Sequence, residues 1–341
     1  MDIRKFSVYP VFLLAKREIS VIIYSMERQQ EKNLKSGRIL RGLLGETTPA
    51  KASGIAFSVA TVLPSLFSFV FIIVLTALPL SQEELTQADW YLYVSYLLPQ
   101  AAFALTTFLY LRYMGISVVD ALKQQKCKPK YFLLALLMQI GLLSLSQANT
   151  LFLEFLKRFG YKDAGIQLPS MDGFGFVGVL IMVALVPAVF EEVLFRGVLL
   201  NGLKKTFSEP TAILLCGAFF ALYHQNPAQT VYQFCCGVAF AFVAIRSGSI
   251  LPTILSHFFN NALILILAKL GVESFSPLYT WVIAGGAAAC LIVALLWLLL
   301  FDKKGERQEP QGGEVKKFFL TSAVGLGICL LVWIMVLITG M

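Results

Sequence analysis

Long apolar runs alternate with short polar or basic connections along almost the whole chain. The runs occupy roughly residues 54–80, 90–114, 131–148, 174–200, 210–224, 228–245, 250–268, 278–300 and 318–340. Most reach the about 17–25 residues that a helix needs to cross the hydrocarbon of a bilayer. Backbone polar groups inside lipid must be satisfied within the chain, so these runs predict helices and not an open sheet. The expected fold is an all-α, polytopic transmembrane helical bundle. It has nine crossings, or eight if the short run 210–224 is partly re-entrant.

Polarity divides this bundle into blocks. Residues 1–53 form a basic arm, with a stretch at about 6–26 suited to lying on the membrane surface. Residues 54–148 supply the first three spanning helices, and 149–173 an outer connection in which Leu151 to Phe159 is a short periodic, interfacial stretch. Residues 174–300 form the core that holds the candidate chemistry, and 301–341 read as an inner linker followed by a terminal helix. No internal repeat is evident. The arm lacks the long apolar core and small-residue cleavage pattern of a signal peptide.

Charge supports this layout and orients it. With the N-terminus inside, the inner segments hold 24 of the 28 Lys and Arg residues, leaving Lys157, Arg158, Lys162 and Lys269 outside. That bias suits a multi-pass protein of the cell (cytoplasmic) membrane with an inward N-terminus. Only 14% of residues are charged and 57% are hydrophobic, against about 25% charged in soluble proteins. The net charge of +8 therefore speaks for the bilayer as partner and gives no reason to invoke nucleic acid. Six scattered cysteines without C-x-x-C spacing indicate neither a disulfide framework nor a zinc knuckle.

Ionisable residues inside lipid are costly, so they mark functional sites by default. They concentrate in three runs: Glu191-Glu192-Val193-Leu194-Phe195-Arg196, Phe220-Ala221-Leu222-Tyr223-His224, and His257-Phe258-Phe259-Asn260-Asn261. Glu192 and Arg196 are four apart and share a helical face, so they can pair. Glu191 points about 100° away and stays available for proton transfer. Counted along their helices, Glu191 and His224 reach one depth, with Phe220 one turn from His224 on the same face. His257 and Asn261, four apart, put two hydrogen-bond donors on one face, while Asn260 looks elsewhere. His257 counts to only about 10 Å of depth, against about 20 Å for Glu191, so tilt or an early helix break has to close the gap. A base, a proton-sharing partner and paired donors are what adding water to an amide carbonyl requires. Ser256 adjoins His257 but faces another way, which disfavours a serine nucleophile.

These three motifs, in this order and spacing, resemble the CPBP family of intramembrane proteases, the CAAX proteases and bacteriocin-processing enzymes also called the Abi family, which includes the type II CAAX prenyl endopeptidases. The resemblance covers about residues 174–268. It implies a hydrolase acting on a membrane-associated peptide or protein. In it Glu191 with His224 activates water, His257 and Asn261 stabilise the oxyanion, and Glu192, Arg196 and Phe220 support the site. It leaves the substrate open between CaaX-type cleavage and the processing of, or immunity to, peptide bacteriocins. A metal-free mechanism is favoured, with zinc held by Glu191, His224 and His257 as the alternative. Two other functional classes compete: a transporter whose Glu and His relay protons, and a non-catalytic membrane scaffold or bacteriocin-immunity protein. The oligomeric state is not readable from the sequence.

Overall fold

The computed structural model describes residues 48–77, 88–118, 126–163, 165–272, 276–302 and 314–341, besides positions 42, 45, 81, 84, 85 and 121. The interfacial stretch expected at 6–26 and most of the linker after 301 lie outside the described residues. Among those residues there is no strand. The long helices are α1 (Pro49–Leu75), α2 (Asp89–Met114), α3 (Lys130–Lys157), α4 (Gly175–Thr206), α5 (Glu209–Tyr223), α6 (Thr230–Ser247), α7 (Leu251–Lys269), α8 (Leu278–Phe301) and α9 (Glu314–Thr339). All but α5 belong to segments long and apolar enough to cross a membrane, eight in number among the described residues. Large apolar side chains such as Phe69, Trp281 and Leu320 point outward, 62%, 76% and 71% exposed. An apolar exterior around an apolar interior is the signature of a bundle solvated by lipid. The protein is a multi-pass membrane protein.

Helix ends follow from local chemistry. Thr48 precedes Pro49 and its hydroxyl accepts the Lys51 amide at 3.3 Å, so α1 starts on a capped turn. Proline likewise stands in the first turn of α5 and of α7, where its missing amide hydrogen costs nothing. Helices α2 and α6 end on Gly115 and Gly248 at φ 73° and 68°, a left-handed backbone that glycine adopts without strain.

Two helices differ from their sequence expectation. Helix α3 runs to Lys157, well past residue 148, through a 3-10 turn at Leu143–Leu145. Polar Ser144, Ser146, Gln147 and Asn149 end the apolar run there, yet Ser144 and Ser146 return their hydroxyls to carbonyls three residues back, and the helix continues. Helix α4 carries two π-helical stretches, Leu180–Leu185 and Val193–Leu199. The first precedes Pro187, whose ring and missing donor disturb the ordinary ladder. The second follows the glutamate pair directly and contains Arg196; such insertions recur at functional sites.

Small residues let the helices approach closely, the usual means of association in lipid. A side chain at Gly237 of α6 would meet the Gly217 α-carbon of α5 at 2.7 Å, so the two backbones cross at their glycines. Gly54 of α1 faces Phe318 and Thr321 of α9, and Gly325 of α9 faces the Phe57 ring. Phe57, Phe195, Phe219, Phe220 and Phe318 belong to one buried apolar core. The substitution Gly237→Leu therefore forces α5 and α6 apart. We expect a loss of about 1–3 kcal/mol or more in detergent, read as a lowered thermal midpoint; an unchanged midpoint would contradict the close crossing.

Candidate active site

The site begins with α4, which brings Glu191, Glu192 and Arg196 into the middle of the bundle. Arg196 Nη1 donates to Glu192 Oε1 at 2.7 Å, and both side chains are completely buried. The four-residue spacing predicted this pair. Burial makes it consequential, because two unpaired charges there would each cost several kcal/mol, on the order of the whole stability of a domain. The guanidinium also donates from Nη2 to the Gly237 carbonyl at 3.3 Å and lies 4.4 Å from the centre of the Phe220 ring and 5.2 Å from that of Phe240. The glycine crossing of α5 and α6 thus offers the cation a carbonyl and two aromatic faces.

Glu192 has a second partner. His257 Nδ1 lies 3.0 Å from the same Oε1. A carboxylate accepts only, so Nδ1 carries the hydrogen and Nε2 is left facing the other acid. His257 Nε2 stands 3.9 Å from Glu191 Oε2, too far for a direct hydrogen bond. The sequence reading gave Glu192 a purely supporting pair with Arg196; the structure adds the orientation of His257 to what it does.

His257 meets Glu192 from the second turn of α7, which follows a short polar turn after α6. Ser249, Thr253 and Ser256 are 3%, 0% and 0% exposed, although Gly248 and Leu251 beside them are exposed. The turn supplies its own partners. The Ser247 hydroxyl donates to the Ser249 carbonyl at 2.8 Å, and the Ser249 hydroxyl accepts the Leu251 amide at 3.2 Å. The Ser256 hydroxyl is buried and has no hydrogen-bond partner among the described residues.

Helix α5 stops partway. Its 15 residues rise about 22 Å, short of the roughly 30 Å hydrocarbon core. Gln225 takes a left-handed conformation at φ 52°, which ends the helix just after His224, and Asn226 caps the following turn by accepting the Ala228 amide at 2.8 Å. His224 Nδ1 donates to the Phe220 carbonyl at 2.8 Å, so its Nε2 is also free to face outward from the stub. The Phe220 ring packs edge-on against both imidazoles, with centroids 4.7 Å from His224 and 6.0 Å from His257. His224 is within electrostatic reach of Glu191 and His257.

Asn261 is held by a buried amide chain that the sequence reading passed over. Asn260 reaches across to α3 and α6. Its Oδ1 accepts from Gln139 Nε2 at 2.7 Å and from the Tyr232 hydroxyl at 2.8 Å, and its Nδ2 donates to Asn261 Oδ1 at 3.1 Å. Gln139 lies on α3, a helix set aside for lacking acids and histidines. The available signal was one glutamine within an otherwise apolar run.

Glu191 and His257 thus approach within 3.9 Å, both imidazoles pack on the Phe220 ring, Glu192 and Arg196 lie beside them, and Asn261 stands four residues beyond His257 on α7. Glu191 is 14% exposed and His257 8%, while Glu192 is sealed. Among the described residues no group of three or more His, Cys, Asp or Glu side chains is arranged to hold a metal ion, and the set Glu191, His224 and His257 does not form one.

A helical membrane protein with two acids and two imidazoles drawn together inside it is the class that fold and site define. Residues 173–263, a little over a quarter of the chain, match the family model for the type II CAAX prenyl endopeptidase Rce1-like proteins. This is the group that the three motifs resemble, and the matched segment holds all three. Neither a curated protein nor a solved structure matches the chain.

Replacing Arg196 by Ala strands Glu192 in the core and loosens His257. We expect a loss of about 3–5 kcal/mol of stability, read as a sharply lowered thermal midpoint and yield. The double variant Arg196→Ala with Glu192→Gln should recover part of that loss; equal midpoints for wild type and Arg196→Ala would refute the buried pair.

Proposed function

We propose that the protein is an intramembrane endopeptidase that hydrolyses a peptide bond of a membrane-associated peptide or protein. One observation carries this reading: of two adjacent buried glutamates, one is taken up by Arg196 and His257, and the other faces the imidazoles unbonded. The match of residues 173–263 to Rce1-like endopeptidases supports it.

In this reading Glu191 accepts a proton from water, and His224, with Nδ1–H tied to Phe220, offers Nε2 to share it. The water oxygen bonds to the carbonyl carbon, and the carbonyl oxygen takes up the negative charge. Asn261 donates to that oxygen from its amide, whose own oxygen is already engaged by Asn260. His257 donates from Nε2 only as an imidazolium; Glu192 and the unprotonated Glu191 flank that charge at rest, and the oxyanion takes the place of Glu191 as its counter-ion once Glu191 holds the water proton. Collapse breaks the carbon–nitrogen bond, and the proton held by Glu191 passes to the leaving amine. Glu192 acts as a positioning residue through His257. No step is routed through a metal.

The end of the bundle with Lys204, Lys205 and Arg246 is proposed to face the cytoplasm, which puts the N-terminus inside. Glu191→Gln should abolish cleavage of a panel of membrane-anchored peptides, prenylated C-terminal peptides among them, while the thermal midpoint stays close to wild type. Retained turnover would remove Glu191 from the proposed role. Asn261→Ala should lower kcat by about 10²–10³ with KM little changed, as loss of an oxyanion donor does; a change confined to KM would instead assign Asn261 to substrate binding.

A further inference from the structure

On the opposite face of α6 from the buried cluster lies a cavity of about 770 Å³ between α8 and the α5–α6 pair. Its walls are apolar, with Met138, Leu142, Ile213, Ala239, Phe242 and Leu295 among them. It is a different compartment from the site above. Gly237 and Phe240 turn toward Arg196, whereas Ala239 and Phe242 turn into the slot. Its volume falls within the about 300–1,000 Å³ of small-molecule sites.

One end of this slot is charged. Arg246 and Glu209 line it and pair through Nη2 and Oε1 at 3.0 Å. The Arg246 side chain is 6% exposed, and its buried Nε has no hydrogen-bond partner. The Phe242 ring covers the guanidinium at 5.0 Å. Five donors with one carboxylate oxygen between them leave the cation short of acceptors. Lys204 and Lys205, outside the slot's lining, close α4 just before Glu209 opens α5, so this end of the bundle carries an excess of positive charge. A guanidinium with a spare donor suits a phosphate, and an apolar slot running away from it suits a hydrocarbon chain.

We infer that this slot binds one anionic phospholipid of the bilayer, with an acyl chain between α8 and α5–α6 and the phosphate on Arg246. The assignment goes beyond the peptidase reading and does not depend on it, since the cluster and the slot share no side chain. The Arg246–Glu209 pair then acts as a clasp that a headgroup phosphate opens by taking over the unpartnered donor.

The test is native mass spectrometry of the full chain extracted from bilayers of mixed phosphatidylglycerol and phosphatidylcholine. Wild type should retain phosphatidylglycerol preferentially. Arg246→Gln should lower that retention about tenfold or more, the equivalent of a charge-assisted hydrogen bond, and Arg246→Lys should fall between. Glu209→Gln should raise it, because the competing carboxylate is gone. Ala239→Phe should fill the slot and release both lipids, which keeps the test decisive should Arg246→Gln fail to fold. Glu191→Gln should retain lipid as wild type does, whatever its effect on cleavage. Equal retention of the two lipids, wild-type retention in Arg246→Gln and Ala239→Phe, displacement by inorganic phosphate alone, or displacement by a prenylated peptide would each overturn the assignment. The last result would make the slot a substrate groove.

Discussion

The structure depends on keeping one cation neutralised in the centre of a bundle surrounded by lipid. Arg196 does not lie against Glu192 alone; its guanidinium is shared among a carboxylate of α4, a carbonyl of α6 and the aromatic faces of Phe220 and Phe240. Glu192 in turn engages His257 of α7. Charge balance in a low-dielectric interior thereby becomes a geometric constraint, since neutralising Arg196 bears on how α5, α6 and α7 sit against α4. The glycine crossing of α5 and α6 is part of that arrangement, because a side chain at either glycine would remove the carbonyl from reach.

That constraint also separates the two acids. Glu192 spends one oxygen on both Arg196 and His257 and is sealed from solvent, whereas Glu191, one residue earlier on the helix, keeps its carboxylate partly accessible. The two imidazoles are tethered in the same way, each giving Nδ1–H to a fixed oxygen and presenting Nε2. Rigid elements hold both tethers, and the shortened α5 places His224 at its end without a polar loop crossing the bilayer. Water-filled or protein-lined interruptions of this kind are the setting in which irregular backbone is tolerated at membrane depth.

Much of this was legible in the residues. The apolar runs gave the helices, the four-residue spacing gave the Glu192–Arg196 pair, and the rarity of histidine in lipid drew attention to His224 and His257. Three features were not legible. The 3-10 turn that lets α3 continue past Leu145 depends on serine hydroxyls bonding within the helix, which hydropathy cannot register. The approach of His257 to Glu192 joins α7 to α4, a tertiary outcome invisible in residue counts along a single helix. Gln139 was passed over because an amide carries no charge; its importance comes from Asn260 and Tyr232, which are distant in sequence and meet it only in the folded bundle.

The spacing of the buried pair also bears on how the chain enters the membrane. Glu192 and Arg196 belong to a single helix, so their charges cancel as soon as that segment coils, before α6 or α7 is in place. A lone arginine or glutamate at the middle of a nascent span would add about 2.5–3.5 kcal/mol to its insertion. By pairing within one turn, α4 can leave the translocation machinery as a nearly neutral segment and await its histidine from a helix made later. Biogenesis and architecture thus draw on the same four-residue interval.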